Sequence, residues 1–174
     1  MNFIFRRPFL LQLSIMFSAL VGLGLGLITI AKAETSQVTT NPIVLDVYKD
    51  PNCGCCNAWI DHANERGFTA NPHNIGGLYE FKLSKGVNGS YQSCHTAIST
   101  EGYVFEGHIP AKFIHAFLAA PPANAIGLSV PAMPVGSPGM EYKNMFRPYQ
   151  ILQINADGST EIFAQVNSLE ESVE

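Results

Sequence analysis

The residues with the most distinctive chemistry are Cys53, Cys55 and Cys56, three thiols within four positions. Cys53-Gly54-Cys55-Cys56 contains a Cys-x-x-Cys pair, whose sulfurs can face each other across the first turn of a helix. Dithiol–disulfide exchange needs only an attacking and a resolving sulfur. Cys55 is then a superfluous thiol that invites the wrong disulfide, whereas a soft metal ion gains from every added thiolate. Four cysteines would suggest two disulfides by default if the chain is exported. Crowding argues against that, because disulfides stabilise most when they close long loops.

The elements that must position these thiols follow from pattern. Residues 43–48 (Ile-Val-Leu-Asp-Val-Tyr) are β-branched and aromatic, and read as a buried strand. Lys49-Asp50-Pro51-Asn52 is a turn. Residues 57–66 read as a helix stopped by Gly67. Residues 68–73 follow as a strand and 78–85 as a short helix. Residues 96–100 and 103–106 pair as a hairpin about Glu101-Gly102. Residues 111–119 form a helix with Phe113, Ile114, Phe117 and Leu118 as its apolar stripe. The resulting β-α-β-α-β-β-α order is that of an α/β, thioredoxin-like domain. In it, the first strand leads into a helix whose N-terminus carries the Cys-x-x-Cys, where free N–H groups favour thiolate. Residues 120–148 are rich in Pro, Gly, Ser and Met and read as a long loop without secondary structure. Residues 149–165 read as a C-terminal hairpin about Asp157-Gly158, and 167–174 as a frayed acidic tail. The domain is expected over residues 43–166.

A thioredoxin-like fold passes the loop before its third strand beside the Cys-x-x-Cys. Cys94, just before that strand, becomes a fourth sulfur at the same place; the long sequence separation is no obstacle, since loop-closure entropy grows slowly with length. Four sulfurs suit Cu(I), zinc or an iron–sulfur cluster. Zinc fits less well, because zinc fingers usually use two separated cysteine knuckles and this chain has one. Cu(I) accepts bridging thiolates, so crowded cysteines can hold several ions. Plain thiol–disulfide chemistry on Cys53 and Cys56 remains the alternative. Met133 and Met140 add thioethers in a Pro-Gly-rich frame; they are candidate Cu(I) ligands or packing residues of a lid. His95, next to Cys94, is a candidate ligand or hydrogen-bonding partner. Trp59 is expected to wall the cluster, and His62 to be a surface histidine.

The N-terminus reads as an export signal. Arg6 and Arg7 precede an apolar run, and Ala31-Lys32-Ala33 supplies a small-x-small cleavage pattern, so residues 1–33 are expected to be removed. An uncleaved anchor is the alternative, since about 20 apolar residues span a bilayer. Arg6-Arg7-Pro8-Phe9-Leu10 also resembles a twin-arginine signal, although the strong apolar run favours ordinary secretion. Residues 34–42 read as a flexible lead-in. Loss of Arg6, Arg7 and Lys32 with the signal takes the net charge from -4 to about -7. An acidic surface argues against nucleic acid and anionic lipid as partners and does not repel metal cations.

Further blocks of sequence carry a resemblance. Asp50-Pro51-Asn52-Cys53-Gly54-Cys55-Cys56 is followed by Trp59 and His62, and then by Ser93-Cys94-His95-Thr96-Ala97. Next come Gly102-Tyr103-Val104, Glu106-Gly107-His108-Ile109-Pro110 and Gly127-Leu128. Val130-Pro131-Ala132-Met133-Pro134 and Gly136-Ser137-Pro138-Gly139-Met140-Glu141 complete the series. In this order, over about residues 43–164, they resemble the CopG-like family of exported bacterial copper-resistance proteins. Ala132 departs from the glycine expected there, which concerns only local loop geometry. The resemblance implies a thioredoxin-like fold and a cluster of several copper ions on Cys53, Cys55, Cys56 and Cys94. It implies a periplasmic location and a role in copper tolerance among other copper-handling proteins. Copper oxidation–reduction and simple sequestration are both open.

Overall fold

A computed structural model describes residues 42–174; the expected signal at 1–33 and the lead-in through residue 41 lie outside the described residues. The chain builds one seven-stranded sheet in the order β2-β1-β3-β4-β5-β6-β7. The first strands are β1 (Ile43–Lys49), β2 (Phe68–Asn74), β3 (His95–Ser99) and β4 (Val104–Glu106). The sheet continues through β5 (Ala125–Ser129), β6 (Tyr149–Asn155) and β7 (Thr160–Val166). Helices α1 (Gly54–Asn64), α2 (Leu78–Ser84) and α3 (Ala111–Ala119) lie between strands, and α4 (Leu169–Val173) ends the chain. The expected β-α-β-α-β-β-α order is present: β1 runs parallel to β2 and antiparallel to β3, and β4 is antiparallel to β3.

Strand alternation sorts the residues of β4 into two layers. Phe105 joins the main core with Leu45, Val47, Trp59, Ile114 and Phe117. Val104 points the other way, packing with Val87 and Ile154 in a smaller cluster. Glu106 shares Val104's face and is completely buried there.

Three features differ from the expectation. Helix α1 begins at Gly54 rather than at residue 57, which places Cys55 and Cys56 in its first turn. The cause is local. Asp50 accepts a hydrogen bond from the Asn52 N–H at 2.8 Å, the turn closes with Cys53 N–H donating to the Asp50 carbonyl, and the Cys53 carbonyl accepts from Asn57. The 120–148 segment is not free of secondary structure. It contains β5, which pairs parallel to β4 and antiparallel to β6 and so joins the C-terminal hairpin to the sheet. Gly127, a loop residue by type, sits in β5 because a Cβ there would lie 1.7 Å from the Val104 carbonyl oxygen. The tail is not frayed either. Ser168 caps α4 by accepting from the Glu171 N–H, and the buried Ser172 hydroxyl pairs with Tyr149 Oη at 2.7 Å and donates to the Gly136 carbonyl at 2.6 Å.

Candidate metal centre

The four cysteines converge. Cys53 caps α1, Cys55 and Cys56 occupy its first turn, and Cys94 closes the segment before β3. Their Sγ atoms all lie within 4.8 Å of one another. Cys53 and Cys56 are joined as a disulfide, and Cys55 and Cys94 are free thiols. Cys55 Sγ lies 3.6 Å from Cys53 Sγ and 3.8 Å from Cys94 Sγ. Sulfurs on one tetrahedral ion with bonds of about 2.3 Å stand about 3.8 Å apart, so the free pair is already at ligand spacing. Reducing the disulfide would make all four sulfurs available.

Cys94 also has nitrogen neighbours. His108 Nε2 lies 2.8 Å and His95 Nδ1 lies 3.6 Å from its sulfur. His108 Nδ1 is 2.7 Å from the Pro138 carbonyl, an acceptor, so Nδ1 carries the proton and the Nε2 lone pair faces Cys94. Burial holds both imidazoles neutral by lowering their pKa values, for His95 with further help from nearby His108 and Lys82. Burial, and then the neighbouring Cys55, push the Cys94 thiol up to about 12. The metal-free Cys94 is therefore protonated at neutral pH, and a metal binding there must release a proton.

The frame around Cys94 includes a residue that sequence reasoning did not single out. Lys82 of α2 and Glu106 of β4 form an ion pair at 2.5 Å, with exposures of 2% and 0%. Both partners also hold Ser93, the residue before Cys94: its N–H donates to Glu106 at 2.6 Å and its carbonyl accepts from Lys82 at 2.7 Å. The Thr96 hydroxyl donates to the other Glu106 oxygen at 2.6 Å. Burial pushes the Glu106 carboxyl up, while Lys82 and the donors from Ser93 and Thr96 pull it back down. A lysine on a short helix gives no sequence signal of burial; the one signal that could have pointed to the pair is Glu106, an acid that follows Val104 and Phe105 in a strand.

The Pro-Gly-rich loop closes the remaining side. Ser93 Oγ donates to the Ala132 carbonyl, and Ala132 N–H donates to the Gln92 carbonyl. Further along, Gly139 lies against the start of α1, where a Cβ would stand 2.6 Å from the Cys55 carbonyl oxygen. Its φ of +81° is in the left-handed region. Met140 follows directly. Met133, by contrast, is 50% exposed and lines a shallow surface cavity with Val135, Arg147 and Tyr149. Trp59 does wall the site: its ring lies 4.5 Å from His95, and its Nε1–H donates to the Ile109 carbonyl at 2.9 Å. His62 is buried rather than superficial, because its Nε2 accepts the Ala111 N–H at 3.1 Å and so caps α3.

Comparison with known proteins gives a consistent family. Residues 91–140 match a family described as a protein of unknown function, DUF411. No curated protein matches. Two solved structures do, described as copper resistance protein CopG, form 1 and form 2. Each is 37% identical with a TM-score of 0.68; they cover 73% and 72% of this chain, and the matches span 99% of theirs. With that identity over nearly the whole length of the CopG chain, and with a cysteine cluster competent to bind metal, this protein belongs to the CopG-like family of copper resistance proteins.

Proposed function

We propose that this protein is exported to the periplasm and there holds several Cu(I) ions on the thiolates of Cys53, Cys55, Cys56 and Cys94, in support of copper tolerance. The observation that carries the reading is the convergence of four sulfurs within 4.8 Å. Softness favours Cu(I) for an all-thiolate set, and the CopG relatives are described as copper resistance proteins. Copper is the cargo. The chain's part is to bring Cys94 up to the α1 turn, to screen the set behind Trp59 and the 137–140 loop, and to give up the thiol protons. Met140, the neighbour of Gly139 that packs on the start of α1, and Met133 are the candidate thioether ligands. Other periplasmic copper-handling proteins are the expected donors or acceptors of the metal. Anaerobic titration of the fully reduced protein should load more than one Cu(I) per chain, and Cys55→Ser should abolish the cluster. Unchanged copper content in Cys55→Ser would overturn the reading. Mass spectrometry of the N-terminus of periplasmic protein tests cleavage after Ala33.

A second reading is favoured by the Cys53–Cys56 disulfide at a helix N-terminus. It makes the protein a thiol–disulfide oxidoreductase that uses only those two residues. Insulin reduction that survives Cys55→Ser would support it. The two readings meet if the cysteine set also exchanges electrons with copper.

A further inference from the structure

The C-terminal helix is tied to the rest of the chain by very few groups. Helix α4 is five residues long, far too short to hold helical shape alone. Ser172 is its one buried residue. The Ser172 hydroxyl donates to the Gly136 carbonyl at 2.6 Å and so accepts from Tyr149 Oη at 2.7 Å. At the end of the helix, Arg66 donates to the Val173 carbonyl at 2.5 Å, and Lys112 of α3 pairs with Glu174 at 3.0 Å. These contacts join the end of α1 and the start of α3 to the Pro-Gly-rich loop.

The piece of loop that α4 holds is bonded within itself. Gly136 N–H donates to the Met140 carbonyl, and Met140 N–H donates to the Ser137 carbonyl. Residues 136–140 can therefore move as a unit without breaking those bonds. The base of the unit is fixed, because Arg147 N–H donates to the Val135 carbonyl at 3.2 Å. Its tip lies beside the surroundings of both free thiols. The Pro138 carbonyl is bonded to His108, whose other nitrogen is 2.8 Å from Cys94 Sγ, and Gly139 packs on the Cys55 carbonyl. Between base and tip, Gly136 is the residue that Ser172 grips.

We propose that α4 is a latch. While Ser172 holds Gly136, the 136–140 turn stays seated against α1 and His108; release of α4 lets the turn swing away from Cys55 and Cys94 and opens the route by which metal enters and leaves. Elements with little apolar burial open locally at low cost while the core stays folded. Helix α4 is such an element: Leu169 and Val173 are only half-buried, and the Lys112–Glu174 pair is partly exposed. Exposed pairs of this kind hold weakly. The passage of metal rests on the copper reading above, whereas the gating of thiol access does not.

The test reads access in metal-free, non-reduced protein as the rate at which iodoacetamide, a neutral reagent, alkylates Cys55 and Cys94. Ser172→Ala leaves the Gly136 carbonyl and the Tyr149 hydroxyl without their partner and should raise both rates about tenfold. Lys112→Glu sets like charges together at a partly exposed site and should raise them about twofold to threefold; it decides the question if Ser172→Ala does not fold. Amide exchange should quicken in α4 and residues 136–140 and stay unchanged in β1 and β3. Wild-type alkylation rates in a variant whose α4 exchanges faster would make α4 a packing element only and overturn the proposal. Faster exchange in β1 and β3 as well would overturn it too, since the opening would then be global. In reduced, Cu(I)-loaded protein, withdrawal of copper by bathocuproine disulfonate should speed up in the same order with copper content unchanged; withdrawal at the wild-type rate would overturn the gating of metal. Failure of the wild-type protein to load Cu(I) would instead overturn the copper reading, and the alkylation rates would still decide the latch.

Discussion

The two halves of the candidate centre are built in different ways. The α1 half is local. Asp50 shapes the turn, Cys53 caps the helix, and three sulfurs fall within one turn because they are neighbours in sequence. The Cys94 half is entirely tertiary. Its position depends on Lys82 from α2, Glu106 and His108 from around β4, and Pro138 from a loop. The difference teaches where the centre is vulnerable. A short turn keeps its thiols together even when the rest of the fold loosens, whereas Cys94 arrives only if several distant contacts hold at once.

The comparison breaks most sharply at Lys82. Removing one partner of a buried ion pair leaves the other charge stranded, typically at a cost of about 3–5 kcal/mol. Lys82→Met should lower stability to thermal or denaturant unfolding by that order and release the Ser93–Cys94 segment, reducing copper content. The double variant Lys82→Met/Glu106→Leu should recover only part of the loss: it removes the stranded charge but leaves the Ser93 N–H and carbonyl and the Thr96 hydroxyl without their partners. If Lys82→Met leaves both melting and copper content unchanged, Cys94 is held by something other than this pair.

Gly139 is the next test. A side chain there would meet α1 backbone at 2.6 Å and must also accept a φ of +81°. Gly139→Ala should destabilise by about 1–3 kcal/mol and move Pro138 away from His108. The histidine signals of the site should then shift in NMR spectra while the Cys53–Cys56 disulfide still forms.

A smaller effect separates His62 from the two histidines beside Cys94. Burial, assisted by Arg66, lowers the pKa of His62 from 6.5 to about 4. Between those values the unfolded chain binds a proton that the folded chain refuses. Stability from this group is present above 6.5 and is lost as pH falls toward 4. Metal-free protein should therefore melt at lower temperature as pH drops through that window, with buried His95 and His108 adding in the same direction. His62→Gln should flatten part of the slope without altering copper content.

The smallest effect concerns the two methionines proposed as thioether ligands. Met133 is half exposed, whereas Met140 is less exposed and adjoins Gly139, which packs on the α1 backbone. Met133→Leu should leave copper content and stability unchanged, within about 0.5 kcal/mol. Met140→Leu should alter the sulfur ligand count of copper-loaded protein by X-ray absorption.

The strands and helices through residue 119 were legible because their apolar periodicity and stop signals are local. β5 was not. Five residues with a glycine at the centre carry no strand pattern, and Gly127 is there because a neighbouring backbone leaves no room for a side chain. The last helix was hidden for a similar reason, since it is held by a buried serine rather than by an apolar stripe.

By itself the sequence determined that three thiols are crowded at the start of a helix, and the thioredoxin-like order of elements brought Cys94 toward them. Spacing along the chain is enough for that, because i, i+2 and i+3 positions cannot separate within one helical turn. Only the tertiary structure decided that His108 joins the adjacent His95 beside Cys94 and that a buried lysine–glutamate pair holds the residue before it. Those partners come from separate strands, a helix and a loop, and no local pattern announces a contact made by chain segments that meet only when the sheet has closed.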